Sequence, residues 1–163
     1  MALILNSPQV FSPEVKTIHI SVRDQRLTLM EGDTPVRDYP VSTSRFGIGA
    51  EEGSMKTPTG RFRIAEKIGG GLPGDTVFRS RVPLKPGDPL PPTNDLVMSR
   101  ILWLDGLDEH NANTRERFIY IHGTKHENKI GTQASHGCIR MRNSDVVELF
   151  ELVDEGAQVI IDE

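Results

Sequence analysis

The residues best suited to chemistry lie in one stretch, Ile121 to Met141, which reads IHGTKHENKIGTQASHGCIRM. It holds the only cysteine of the chain, Cys138, and three of the five histidines: His122, His126 and His136. A thiol attacks as its thiolate, and a free cysteine with a pKa near ~8.5 is only a few per cent ionised at neutral pH. A histidine nearby can take that proton, and backbone N–H groups around Gly137 can receive the oxyanion that develops. Glycine beside the nucleophile lets a carbonyl approach the main chain. Together these are the parts of a thiol acyl-transfer site. His136, two residues before Cys138, shares its side only if the segment is extended. His122 is the better base, because it ends the alternating run Arg117-Phe118-Ile119-Tyr120-Ile121 and a strand end gives an imidazole rigid support.

The order of these residues resembles the signature of the L,D-transpeptidase catalytic-domain family (YkuD-like). That signature is a histidine, a spacer of about a dozen residues, then Ser/Thr-His-Gly-Cys, a hydrophobic residue, and Asn or Arg. Here His122 is followed by the spacer Gly123 to Ala134 and by Ser135-His136-Gly137-Cys138-Ile139-Arg140. The resemblance implies that Cys138 is the nucleophile, His122 the general base, and the Gly123 carbonyl the group that orients the imidazole. It places Ser135, His136, Gly137 and the Cys138 amide around the oxyanion or substrate, with Arg140 as an anchor or charge stabiliser. It also implies a peptidoglycan tetrapeptide or muropeptide as substrate partner, and no cofactor or metal. A second resemblance lies at Lys56-Thr57-Pro58-Thr59-Gly60. That sequence makes a turn, because proline presets φ and glycine releases the chain, and the family carries a similar segment in the wall of its site.

Other chemistries fit less well. His122, His126, His136 and Cys138 could form a zinc set, but Gly123-Thr124 after a strand argues against the helix that His122 and His126 would need. A cysteine phosphatase needs an arginine several residues after the nucleophile; Ser144 stands there, and Arg140 and Arg142 come too early. Without GxGxxG or Gly-Lys-Ser/Thr, the glycines from Gly47 to Gly60 make no nucleotide loop. The rival to an enzyme is a muropeptide- or metal-binding module without catalysis. His19 and His110 stand outside any motif.

The rest of the chain must hold this stretch in place. Its 163 residues suffice for one domain with a real core, and a net charge of −4 with scattered basic residues leaves no nucleic-acid or membrane footprint. A lone cysteine makes no internal disulfide. Residues 1–14 read as an N-terminal extension without the basic and apolar regions of a signal peptide. The expectation is therefore a cytoplasmic protein, or an exported one if a leader has been removed.

Thr17 to Val22 and Arg26 to Met30 alternate and predict a hairpin. Val36 to Thr43 is a third strand, with Pro40 marking an edge or bulge. Arg61 to Ile64, Val97 to Leu104 and Arg117 to Ile121 follow. Residues 68–96, rich in Gly and Pro, read as a loop excursion from the single domain over 15–163, a flap or wall near the substrate. Asn143 or Ser144 can cap a helix that buries Val146, Leu149, Phe150 and Val153 and ends at Gly156, before a last strand, Gln158 to Ile161. The expected fold is mainly β: a mixed β-sheet or sandwich with one packed C-terminal helix.

Overall fold

The computed structural model describes residues 15–163; the expected N-terminal extension lies outside them. Among these described residues, ten strands and one α-helix follow in order. The strands are β1 (Lys16–Ser21), β2 (Arg26–Glu31), β3 (Thr34–Ser42), β4 (Gly60–Ile68), β5 (Val77–Arg79), β6 (Val82–Pro83), β7 (Val97–Gly106), β8 (Tyr120–Gly123), β9 (Ile139–Met141) and β10 (Gln158–Asp162). The helix α1 (Asn143–Leu152) connects β9 to β10. The fold is mainly β with one packed helix, as expected.

The strands form one mixed sheet in the order β4-β10-β1-β2-β3-β9-β8-β7-β5-β6, and β7 also pairs with β4, so the first eight close on themselves. The pairs β1–β10 and β8–β9 are parallel and the others antiparallel. Alternation fills the interior: Ile18 and Ile20 of β1, Leu27 and Leu29 of β2, and Val159 and Ile161 of β10 are buried in a single cluster. The polar residues between them, such as His19, point to solvent. Helix α1 lies against β7 and β8 and adds Val146, Leu149 and Phe150 to that cluster.

Pro40 fits where it stands. The Val41 N–H donates to Gln25 O across the β2–β3 ladder, so the N–H that Pro40 lacks would face the other edge. There β9 pairs only with Val41 and Ser42. The register shift in β2–β3 falls instead between Leu29 and Met30.

Several strands run longer than the sequence reading, β4 to Ile68 and β7 to Gly106 among them, and three boundaries differ for a visible reason. The strand expected from Arg117 begins at Tyr120, because Phe118 adopts a left-handed backbone (φ 56°) and turns the chain. The helix cap is Arg142, with the Asn143 side chain drawn off to a tertiary contact. Helix α1 also stops at Leu152, before Gly156, because Val153 is already extended and buries its side chain.

Residues 68–96 carry the β5–β6 hairpin, which joins β7 through Val77 and Phe78. Phe78 packs with Ile101 and Tyr120 on the outer face of β7 and β8, and Cys138 lies against this second cluster. At the hairpin tip, Arg81 stacks over Trp103 and Phe118 and donates to the Tyr120 hydroxyl. The excursion thus lies directly against the face that carries the thiol.

Candidate active site

The parallel pairing of β8 with β9 builds the site. Ile121 is opposite Ile139, and His122 is opposite Arg140. Side chains alternate across a sheet, so Ile121 and Ile139 enter the core while His122 and Arg140 point outward. Tyr120 and Cys138 stand two residues earlier on the same outer side. Two short alternating words, IYIHG and HGCIRM, thereby bring His122 and Cys138 to one surface.

Cys138 is half-buried. The Tyr120 N–H donates to its Sγ at 3.4 Å, and its thiol lies 3.3 Å from the Phe118 carbonyl, which can accept the S–H. Burial pushes the thiol up to about 12; the Tyr120 N–H, Arg140 and Arg117 oppose that rise and Asp95 adds to it. The ligand-free site therefore holds a neutral thiol. His122 is 1% exposed, and burial lowers its pKa below the ordinary histidine value, with Asp95 and the Gly123 carbonyl opposing. Its Nδ1 is 2.5 Å from Gly123 O. A carbonyl only accepts, so Nδ1 carries the proton and Nε2 is left as the basic nitrogen. Both groups respond to the same Asp95 and Arg140 charges, which places them in one electrostatic neighbourhood.

The turn before Cys138 is fixed from within. Ser135 is fully buried; its hydroxyl donates to Cys138 O at 2.6 Å and accepts from the Gly137 N–H at 3.3 Å. Ser135 therefore shapes the turn, and its hydroxyl is not presented to solvent. Gly137 has φ 125°, a conformation that strains other residues. Its carbonyl accepts from Thr57 Oγ1 at 3.0 Å, and Thr57 accepts from the Ser44 N–H at 3.0 Å. The Lys56–Gly60 turn is thus tied directly to the cysteine loop.

His136 lies between two clefts. One, of about 200 Å³, is lined by Cys138, Met55, Arg117, Phe118 and Ile119. The other, of about 370 Å³, is lined by Arg45, Asn94, His126, Lys129 and Arg140. The His136 ring stacks on Phe46, and its Nδ1 is 3.3 Å from Asp95 Oδ2. Arg140 is 3% exposed and holds Asp95 Oδ1 through Nη2 at 2.8 Å and Nε at 3.0 Å. His126 turns away and donates from Nε2 to Asn94 O at 2.7 Å. The four side chains of the alternative zinc set are thus directed to separate partners.

Sequence reasoning missed three contributors. Asp95 comes from the 68–96 segment, where no motif surrounds it. Arg117, read as a strand residue, donates to Lys56 O at 2.8 Å and lines the Cys138 cleft. Asn143, read as a helix cap, contacts Thr124 and Ser99 beside His122. Alternation and capping rules describe local backbone, and each of these contacts is tertiary.

Comparison with known proteins agrees with this geometry. Residues 15–161 match the L,D-transpeptidase catalytic domain. The chain is 29% identical over 144 residues to the putative L,D-transpeptidase YkuD of Bacillus subtilis, covering 88% of this chain and 64% of that relative. Its fold is similar to an L,D-transpeptidase from Mycobacterium smegmatis, with TM-score 0.62 at 18% identity, over 93% of this chain and 59% of the other. It is also similar to L,D-transpeptidase 3 from Mycobacterium tuberculosis, solved with a faropenem-derived adduct, with TM-score 0.59 at 18% identity, over 93% and 61% of the two chains. The motif, the outward face of β8 and β9 and the match across the described residues lead to one conclusion: the chain belongs to the L,D-transpeptidase catalytic-domain family.

Proposed function

We propose that the protein performs cysteine-dependent acyl transfer on peptidoglycan tetrapeptide stems, cleaving the bond between the L-centre of diaminopimelate and D-alanine. The observation that supports this most directly is the pair of groups on one face: a neutral Cys138 thiol and a buried His122 whose Nδ1–H is committed to Gly123 O. As Sγ attacks the carbonyl carbon, the thiol proton passes to His122 Nε2. The oxyanion is received by the Cys138 amide and by His136, while the Gly137 N–H stays with Ser135 and holds the turn, and Arg117 adds positive potential. Collapse breaks the C–N bond, and the D-alanine amine leaves with the proton from His122. The thioester on Cys138 is then resolved by a second nucleophile, again with His122 as base.

We read that nucleophile as water, which makes the protein an L,D-carboxypeptidase that trims tetrapeptide to tripeptide, in keeping with a cytoplasmic role in muropeptide recycling. The Cys138 cleft, about 200 Å³, is small, and water needs no binding site of its own. An amine outcompetes water only where it is held and oriented. The observation favouring the second reading, transpeptidation, is the larger cleft beyond His136, where Arg45 and Lys129 could hold a carboxylate-bearing acceptor stem. Incubation with a defined disaccharide-tetrapeptide, resolved by mass spectrometry, decides between them. Tripeptide plus free D-alanine is the expected result; dimers joined through two diaminopimelates would establish transpeptidation, and an unchanged substrate would overturn both.

A further inference from the structure

We infer that Asn143 is a positioning residue for the base, acting on His122 through the peptide group that joins Gly123 to Thr124. The inference rests on the reading of His122 as base. The Gly123 carbonyl, which accepts from His122 Nδ1, and the Thr124 N–H belong to one planar unit. The carbonyl faces the imidazole at 2.5 Å, and the Thr124 N–H donates to Asn143 Oδ1 at 3.0 Å. The Asn143 Nδ2 closes a second bond to Thr124 O at 2.9 Å, so the side chain grips both the N–H and the C=O of one residue. Rotation of that peptide plane would break both the clasp and the bond that orients the imidazole.

The surroundings commit Asn143 to this task. The orientation of the amide is fixed by Thr124 itself, whose N–H requires the oxygen and whose C=O requires the nitrogen. Ser99 Oγ packs 2.7 Å from Asn143 Oδ1 and shares its one proton with Gly74 O. The Asn143 backbone N–H is held by Glu127 Oε1 at 2.8 Å. Thr124 is fully buried, so its N–H has no access to water if Asn143 is lost, and an orphaned buried donor is costly. Gly123 leaves the required room: a Cβ there would overlap Asn143 Oδ1 and Ser99 Oγ. A hydrogen bond at the N–H end also strengthens the carbonyl at the other end as an acceptor. The clasp therefore both aims the Gly123 carbonyl and reinforces its hold on the Nδ1–H form.

The test is made on ligand-free protein labelled with 15N-histidine, with the His122 signals identified by their loss in His122→Gln. The native protein should show one tautomer, protonated at Nδ1. Asn143→Ala should show mixed tautomers and a kcat lower on the order of 10²-fold, with KM within about twofold, because substrate contacts are untouched. Asn143→Asp retains an acceptor for the Thr124 N–H and should preserve the Nδ1–H tautomer and recover much of the turnover. If Asn143→Ala fails to fold, Asn143→Ser, whose hydroxyl is too short to reach the Thr124 N–H, carries the same two readouts. A single Nδ1–H tautomer together with native kcat in whichever of these two variants folds would overturn the inference. The tautomer is read without substrate. An enzyme indifferent to His122→Ala would refute the assignment of the base, and leave the tautomer result to decide the role of Asn143 in orienting the ring.

Discussion

Asp95 and Arg140, 45 residues apart in sequence, meet at 2.8 Å with the guanidinium all but sealed from solvent. The same carboxylate reaches His136, so one residue of the 68–96 segment is shared by two residues of the cysteine motif. Removing a single partner of a buried pair strands the other charge. Asp95→Ala should therefore lower stability by about 3–5 kcal/mol, read from urea unfolding, with Asp95→Asn less severe. An unfolding midpoint unchanged by Asp95→Ala would show that Arg140 does not depend on this contact.

The pH profile should follow the burial of His122. A general base must be neutral to accept a proton, and the His122 pKa lies below the ordinary histidine value near ~6.5. Activity should thus be fully present at pH 7 and fall only as the pH drops through that lowered value. An acid limb of kcat/KM centred above ~6.5 would contradict the structure.

Cys138 should titrate late. With the thiol held near 12, its thiolate fraction at pH 8 is far smaller than that of a free cysteine. Iodoacetamide labelling of the ligand-free enzyme should therefore still be accelerating above pH 9, where an unperturbed thiol has nearly levelled off. A carbapenem, whose strained carbonyl engages both thiol and base, should acylate at neutral pH and give one adduct at Cys138 by intact mass. A labelling plateau by pH 9 would rule out the desolvated thiol.

The two histidines of the sequence HGTKH should part company. His122→Ala should cost on the order of 10²–10⁴ in rate, whereas His126→Ala removes a bond to Asn94 O and should leave kcat within a few-fold. Steady-state assays with a defined tetrapeptide measure both. Equal losses, accompanied by loss of bound zinc, would return the metal reading to contention.

The placement of Cys138 and His122 on one face was legible because it is local. Alternation over Tyr120–Gly123 and Ile139–Met141 determines which side each residue takes, and one parallel ladder does the rest. Where several residues in a row obey the same period, sequence also locates the strands, as with Ile18 and Ile20 or Leu27 and Leu29. The alternation of Arg117-Phe118-Ile119 looked equally good. There the left-handed turn at Phe118, which brings its carbonyl to the thiol, overrode the pattern. Asn143 misled for a different reason: an asparagine before a helix satisfies the capping rule on paper, and only the folded chain brings Thr124 within its reach. Asp95 had no local signal at all, since an isolated acid in a proline-rich loop looks like any solvated carboxylate. The β4–β7 pairing that returns the sheet to its start was likewise invisible, because strand order depends on contacts that no single segment encodes.

That pairing also bears on how the protein behaves in a crowded solution. Unpaired strand backbone is a template onto which another chain can add, and aggregation often starts there. Among the described residues, the outer side of β3 is left unladdered before Val41, and Pro35 and Pro40 stand in that stretch. The terminal strand β6 is only two residues long, and one of them is Pro83. Each proline deletes a donor that an incoming strand would need. These margins of the sheet are therefore poor seeds for intermolecular growth.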